Sequence, residues 1–333
     1  MRDSSGVGDP SPMANSIRKT TYGPDGEPVV TEWQILDESG IIARNGRVAI
    51  VTGIRPGGIG EATTRLLAIE EGFQVFTLER ELSGCQAVDR IREQGGRVEF
   101  VQGDASKPDD IKRLLDTVAA SAGRLDLLVC NAAHAGNKEE DQFGALTPEK
   151  FRRFFGDNFL SAYIPVDEAL RRFFVPQRSG VVVFLASYNG KPGPGALLGQ
   201  PAYAIAKSGL TALQAILVAR FGRHVRFCTV LPGLILTNSP NYRKRLASKA
   251  NWKDLEGQYC PAGRLGKPEE VAAAVAWLAS DQARYVNGVE LPVDGGFGSA
   301  GLQFPAWNAA DFRASYVAAV EKFLDQNLLN KAA

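Results

Sequence analysis

From Arg47 onward, apolar runs of strand length alternate with stretches of helical pattern, and this alternation constrains the fold more than any other feature. The runs are Val48–Thr52, Gln74–Leu78, Arg97–Val101, Leu125–Cys130, Val181–Ala186, Val225–Leu231 and Glu290–Val293. They are nearly continuous in Val, Leu, Ile and Phe, the pattern of strands buried on both faces. Between them lie Glu61–Glu71, Ser83–Gln94, Pro108–Ala122, Pro148–Arg172, Pro201–Gly222 and Pro268–Ser280. Pro148 follows Thr147 and Pro268 precedes Glu269 and Glu270, both helix-start signals. Strands that alternate with helices pair in parallel through crossovers. The pattern therefore predicts an α/β fold: a doubly wound parallel sheet of seven strands with helices on both faces.

The regions outside this rhythm read differently. Residues 1–44 form an N-terminal extension, with Pro10, Pro12, Pro24 and Pro28 and few apolar residues before Trp33. Residues 1–28 are expected to be poorly ordered and Val29–Ile42 to form an arm on the body or on a neighbouring subunit. Residues 45–296 form the main domain, and 297–333 a C-terminal extension with an amphipathic stretch at Ala310–Leu329. Thr237–Gly266 breaks the alternation and carries a basic cluster, Arg243–Arg245, read as a solvated face. Lys and Arg number 38 against 37 Asp and Glu, a net charge of +1, which lacks the basic excess of a nucleic-acid surface. No apolar run reaches the roughly 20 residues that span a bilayer, and the N-terminus has no signal-peptide pattern. The four cysteines, Cys85, Cys130, Cys228 and Cys260, share no metal-ligand spacing with His134 and His224, so no metal site is expected. They read as free thiols in a reducing cytoplasm.

A glycine-rich turn, Thr52-Gly53-Ile54-Arg55-Pro56-Gly57-Gly58-Ile59-Gly60, follows the first buried strand and opens a helix. Glycines let the backbone approach a pyrophosphate closely, and the helix start offers free N–H groups and a positive dipole end. Glu79 ends the next strand, about 20 residues on, where an acid accepts hydrogen bonds from ribose hydroxyls and repels a 2′-phosphate. Arg55 and Arg80 pull the other way, since either can pair with that phosphate. The balance favours NAD(H) over NADP(H).

Tyr203 and Lys207 stand four residues apart in a helical stretch and so share a face. A free tyrosine has a pKa of about 10 and is no base at neutral pH. A cation beside it favours the phenolate. Ala204, Ala206, Ser208 and Gly209 around the pair suggest close packing rather than a surface accident.

Residues 47–296 resemble the short-chain dehydrogenase/reductase family, because several motifs occur in its order. Gly53, Gly58 and Gly60 match the glycines of its T-G-x-x-x-G-x-G turn, with Arg55 and Ile59 between them and one residue more than usual. Asp104 resembles the acid that contacts the adenine, with Ala105 beside it. Asn131-Ala132-Ala133 resembles the family's N-A-G, with Ala133 in place of the glycine and Cys130 before it where another Asn is common. Pro232-Gly233-Leu234-Ile235-Leu236-Thr237 resembles the turn whose Ile and Thr meet the nicotinamide end. Asn158, Ser187, Tyr203 and Lys207 match the catalytic set. Ser187 and Tyr203 are farther apart than usual, across Gly190, Pro192, Gly193, Pro194 and Gly195.

The resemblance implies a Rossmann-type fold and an NAD(P)(H)-dependent oxidoreductase that interconverts a secondary alcohol and a ketone. Ser187 would orient the substrate oxygen and Tyr203 would be acid or base. Lys207 would lower the Tyr203 pKa and hold the nicotinamide ribose. Asn158 would anchor a water that links Lys207 to solvent. His134, Tyr188 and Asn189 are candidate contacts for a small-molecule substrate. By analogy, the two long helices, Pro148–Arg172 and Pro201–Gly222, would build a homodimer or homotetramer. A Rossmann methyltransferase has no use for the Ser187, Tyr203 and Lys207 set, and a cofactor-binding sensor has no use for the full proton path. An epimerase or dehydratase of the same family is disfavoured by the short body of the chain.

Overall fold

The computed structural model describes residues 16–22, 28–34, 46–134, 140–141, 144–191, 200–238 and 260–300. Contacts divide the chain into two units, Met1–Gly46 and Arg47–Ala333. In the first, β1 (Ser16–Tyr22) pairs antiparallel with β2 (Pro28–Gln34), with Ser16 opposite Gln34 and Tyr22 opposite Pro28. This corrects the reading of Ser16–Tyr22 as part of a poorly ordered stretch. Ile17, Thr20, Thr21 and Tyr22 favour extended backbone, and Val29, Val30, Thr31 and Trp33 supply a second such run to pair with it.

The second unit holds β3 (Val48–Thr52), β4 (Gln74–Glu79), β5 (Val98–Gln102), β6 (Leu127–Cys130), β7 (Gly180–Leu185), β8 (Val225–Pro232) and β9 (Glu290–Val293). All pair in parallel, in the order β5-β4-β3-β6-β7-β8-β9. The expected doubly wound sheet of seven strands is present. The chain reverses its direction of winding between β3 and β6. A sheet of this kind opens a crevice at that point, beyond the carboxyl ends of its strands.

Alternation along the strands sends side chains to two cores. Val48, Ile50, Phe76, Phe184 and Phe227 are buried on one side with Leu114 of α3 (Pro108–Ser121), Val166 of α5 (Ser161–Ala169) and Leu210 of α7 (Pro201–Phe221). Ala49, Val51, Val75 and Val129 are buried on the other. Their helical partners there include Leu67, past the end of α1 (Ile59–Arg65), Ile91 of α2 (Ser83–Glu93) and Val275 of α8 (Pro268–Ala279). Each such large side chain stabilises by roughly 1.5–3 kcal/mol, and truncating Phe184 to Ala would cost about 3–5 kcal/mol.

Two departures from the sequence reading have a visible cause. Leu125 does not join β6, because the Gln177 side chain takes both its N–H (3.0 Å) and its C=O (2.7 Å). The helix predicted over Pro148–Arg172 is not regular. α4 (Pro148–Phe155) runs into a wide π turn at Gly156–Leu160, then α5, a second π turn at Leu170–Phe174 and the single turn α6 (Val175–Gln177). The Asn158 amide donates to the Phe154 carbonyl (2.8 Å), the acceptor that a regular helix gives to the backbone at that spacing, so the ladder widens there.

α7 is the one described helix long and apolar enough to cross a membrane. Yet it buries Lys207 and Gln214 and packs against β8, as the core helix of a sheet does.

Candidate active site

The two turns that flank the switch point are tied together by backbone-directed side chains. Thr52 Oγ1, at the end of β3, accepts from Asn131 N–H (3.2 Å) and Ala132 N–H (3.1 Å) at the end of β6. In return, Asn131 Nδ2 donates to the carbonyls of Thr52 (3.0 Å) and Gly53 (2.6 Å). Asn131 thus builds the groove with its side chain. Gly60, at the start of α1, is where the turn closes: a Cβ there would lie 1.9 Å from the Gly53 carbonyl oxygen. Only glycine fits. The turn brings Gly58, Ile59 and Gly60 to the start of a helix that continues through a π turn to Glu70, an arrangement suited to a phosphate.

The extra residue of this turn has a structural use. Gly57 N–H donates to Glu61 Oε2 (2.5 Å), and Asn238 N–H donates to the Gly57 carbonyl (3.1 Å). Arg90 holds the other oxygen of Glu61 (2.5 Å). The glycine turn is thereby joined to the segment beyond β8 that carries Ile235 and Thr237.

Glu79 lies at the end of β4 and is only 5% exposed. Its Oε1 accepts from Arg80 N–H (2.9 Å) and Glu81 N–H (3.3 Å), and its Oε2 faces Arg55 at 3.7 Å. Arg55 also pairs with Glu81 at 3.0 Å. Arg80 turns away from Glu79 to pair with Asp157 at 3.1 Å and Asp104 at 3.7 Å. Asp104 Oδ1 caps its own turn by accepting from Ser106 N–H (2.8 Å) and Oγ (2.7 Å), and Ala105 is buried beside it.

Lys207 is 2% exposed, and its ammonium donates to the Leu185 carbonyl (2.7 Å) at the end of β7. It stands 5.8 Å from the centroid of the Tyr203 ring, so the two residues do share a face. Burial pulls the Lys207 pKa down from 10.5 to about 8, and pushes the Cys130 thiol beneath it well up, so Cys130 is uncharged. Burial also raises the Tyr203 pKa, and a side-chain hydrogen bond with Ser187 partly offsets this. Tyr203 as a residue is partly exposed, while its hydroxyl is buried. Ser187 Oγ accepts from Asn189 N–H (3.2 Å), and the turn Tyr188–Gly190 is fixed to α7 by a hydrogen bond from Ser208 Oγ to the Gly190 carbonyl.

Two of the expected site residues are held by the fold itself. Asn158 is fully buried, and both its amide hydrogens are spent, on the carbonyls of His134 (2.9 Å) and Phe154 (2.8 Å). Its Oδ1 accepts from His134 N–H (3.1 Å). Its side chain holds the His134 turn in place. Tyr188 is buried. It is 6% exposed and packs edge-on against Phe297, with ring centroids 4.8 Å apart. Its neighbour Asn189 is partly buried. The His134 pKa is lowered by burial first, with Asp157 opposing and Arg80, Arg55 and Arg153 adding to the fall. Its imidazole is neutral at pH 7.

Pro232 and Gly233 end β8, with Gly233 N–H donating to the Val293 carbonyl (3.0 Å). Ile235 is buried in a bridge with Gly266, and Thr237 is partly exposed beside it. Ala133 is exposed at the rim, and Ala132 backs the glycine turn. The residues 192–199 between Ser187 and Tyr203, the cluster Arg243–Arg245 and the stretch 310–329 lie outside the described residues. Sequence reasoning missed Asp141, whose buried carboxylate accepts from Ala202 N–H (2.9 Å) and Tyr203 N–H (3.0 Å). It stands about 60 residues before α7, too far for any local capping pattern to reveal it.

A protein-family model described as enoyl-(acyl carrier protein) reductase matches residues 53–298. A 7alpha-hydroxysteroid dehydrogenase from Clostridium sardiniense is 30% identical over 76% of this chain and 93% of its own. Glucose 1-dehydrogenase 2 from Bacillus subtilis is 32% identical over 75% and 94%. The crystal structure of actinorhodin polyketide ketoreductase with NADPH superposes with a TM-score of 0.70 at 26% identity, over 78% of this chain and 99% of that one. The chain belongs to the short-chain dehydrogenase/reductase family. It is an NAD(P)(H)-dependent oxidoreductase acting on alcohol and carbonyl groups.

Proposed function

We propose that Tyr203, Ser187 and Lys207 carry the proton chemistry of a reaction between a secondary alcohol and a ketone, with NAD(H) as the preferred cofactor. The observation that carries this reading is the Lys207 ammonium, buried within 5.8 Å of a tyrosine ring whose hydroxyl meets Ser187. The nicotinamide supplies or takes the hydride. In reduction, the Tyr203 hydroxyl gives its proton to the substrate oxygen; in oxidation, the phenolate takes it back. Ser187 Oγ accepts from Asn189 N–H and its hydroxyl bonds Tyr203, so a substrate oxygen that enters between the two takes over the Ser187 O–H as its donor. Lys207 has one donor on Leu185 and two more for ribose hydroxyls, while its charge favours the phenolate. His134, neutral and at the rim, contacts the substrate as a hydrogen-bonding group, with Asn189 on the other side.

The glycine turn suits the diphosphate of the cofactor, because its tight closure, which a Cβ at Gly60 would break against the Gly53 carbonyl, brings the backbone close to the start of α1. The preference for NAD(H) rests on Glu79 and on the arginines beside it. Arg55 is taken by Glu79 and Glu81, and Arg80 by Asp157 and Asp104, so each guanidinium already has carboxylate partners. A 2′-phosphate would have to displace them.

The enzyme acts on a small molecule, without nucleic acid or membrane, as a cytoplasmic homodimer or homotetramer. Tyr163 on α5 and Ile205 and Ile216 on α7 are exposed apolar side chains, which suits a helix-to-helix contact with a second copy.

The test is Tyr203→Phe assayed beside the parent on a panel of ketones. Turnover is expected to fall by about 10²–10⁴-fold, with NADH affinity retained. Undiminished turnover would sink the assignment of Tyr203, and tighter binding of NADPH than NADH would sink the cofactor preference.

A further inference from the structure

Asp141 is fully buried, and its carboxylate faces no cation among the described residues. A buried charge without a partner costs several kcal/mol unless its oxygens are otherwise satisfied. Here both are satisfied by the first amides of α7, Ala202 N–H at 2.9 Å and Tyr203 N–H at 3.0 Å. Those amides have no acceptor within the helix, and Gln200, at the cap position, provides none from its side chain. A neutral cap at position 200 would serve the helix. This fold instead reaches back across about 60 residues to set a full negative charge beside the backbone of Tyr203.

We propose that Asp141 is a positioning residue for the reaction: it fixes the Tyr203 backbone opposite Ser187 and sets the pH at which the phenol gives up its proton. The inference rests on the reading of Tyr203 as acid and base. Two cationic influences favour its phenolate, the Lys207 ammonium on the same helix and the positive end of α7. From the end of β7 comes the Ser187 hydroxyl, and from β6 the uncharged Cys130 thiol beneath Lys207. Asp141 is the negative charge that opposes them. It keeps the phenol protonated, and so able to act as an acid.

The experiment is Asp141→Asn in the cofactor-saturated enzyme, with kcat for alcohol oxidation followed against pH. The amide keeps the shape and one acceptor but loses the charge. The limb governed by Tyr203 is expected to move about one unit to lower pH. KM for NADH should stay unchanged within about twofold. Lower kcat with the limb unmoved would mean that Asp141 only caps the helix, and would overturn the proposal. If Asp141→Asn does not fold, Asp141→Ser, a neutral cap, is read in the same way. Tyr203→Phe runs in parallel: full activity there would overturn the role of Tyr203 itself, whereas an inactive Tyr203→Phe with an unmoved limb in Asp141→Asn overturns only the role of Asp141.

Discussion

Replacing Lys207 by Met should make the protein more stable and nearly inactive at once. The Lys207 ammonium is 2% exposed and its pKa falls from 10.5 to about 8, chiefly through burial. A cation with lowered proton affinity destabilises the fold for as long as it stays charged. The unfolded chain holds this proton up to a pH of about 10.4, but the folded one releases it near 8. Across that window the unfolded state binds more protons, so stability rises with pH; below about 8 the penalty is present in full. The fall from 10.5 to about 8 corresponds to about 3 kcal/mol at pH 7. Met fills the space without the charge, at a cost of about 1 kcal/mol for the Leu185 carbonyl left without its donor. The net gain of about 2 kcal/mol is a rise in Tm of roughly 3–6 °C. Activity moves the other way. A cation about 6 Å from the phenol is worth about 3 kcal/mol at an effective dielectric constant of about 20, so oxidation at pH 7 should fall about 100-fold. Thermal melts of both proteins without cofactor, at pH 7 and pH 10, together with oxidation rates, decide the matter. The Lys207→Met protein should melt higher at pH 7, and the gap should narrow by pH 10. If it melts at or below the parent at pH 7, or if the gap ignores pH, the burial argument is wrong.

Gly60→Ala should abolish saturable NADH binding, read by nicotinamide fluorescence, because its Cβ would stand 1.9 Å from the Gly53 oxygen; retained micromolar binding would refute the glycine-turn assignment. Asn238→Pro removes the N–H that donates to the Gly57 carbonyl at 3.1 Å, a bond of about 1 kcal/mol, so NADH should dissociate about fivefold faster in stopped flow; an unchanged rate would mean that this contact does not restrain the cofactor.

The sheet was legible because its signal is local. Each strand is a short apolar run bounded by turn residues, and five of the seven are buried enough to read as continuous hydrophobic sequence, the edge strand Val98–Gln102 being one exception. Glu290–Val293, at the edge, is more exposed, but its Val and Leu still marked it. Tyr203 and Lys207 were legible for the same reason, since four residues of helix fix their relation. What the sequence hid is long-range. The carboxylate of Asp141 meets α7 only through folding. The use of the extra glycine-turn residue depends on Asn238, which follows a strand some 180 residues later. The pairing in the N-terminal unit was hidden differently: Pro24 and Gly26 made the whole stretch resemble a disordered leader, although the runs on either side favour strands.

The polar residues that made the motifs recognisable divide into two groups with different work. Thr52 and Asn131 close the glycine turn against the neighbouring strand end, Asp104 caps its own loop, and Asn158 fastens the His134 turn to a widened helix. These side chains spend their hydrogen bonds on backbone. Ser187, Tyr203 and Lys207 differ: the first two turn their hydroxyls on each other, and Lys207 keeps two ammonium hydrogens beyond the one it gives to Leu185. Backbone-directed residues hold three strand ends and one helix start rigid, and a rigid frame is what allows a tyrosine to meet its substrate within hydrogen-bond reach. Asp141 belongs with the first group by its contacts and with the second by its charge, since the amide it holds at 3.0 Å is that of the reacting tyrosine. A substitution in the first group should therefore disturb cofactor affinity and stability together, whereas one in the second should lower turnover and leave the fold standing.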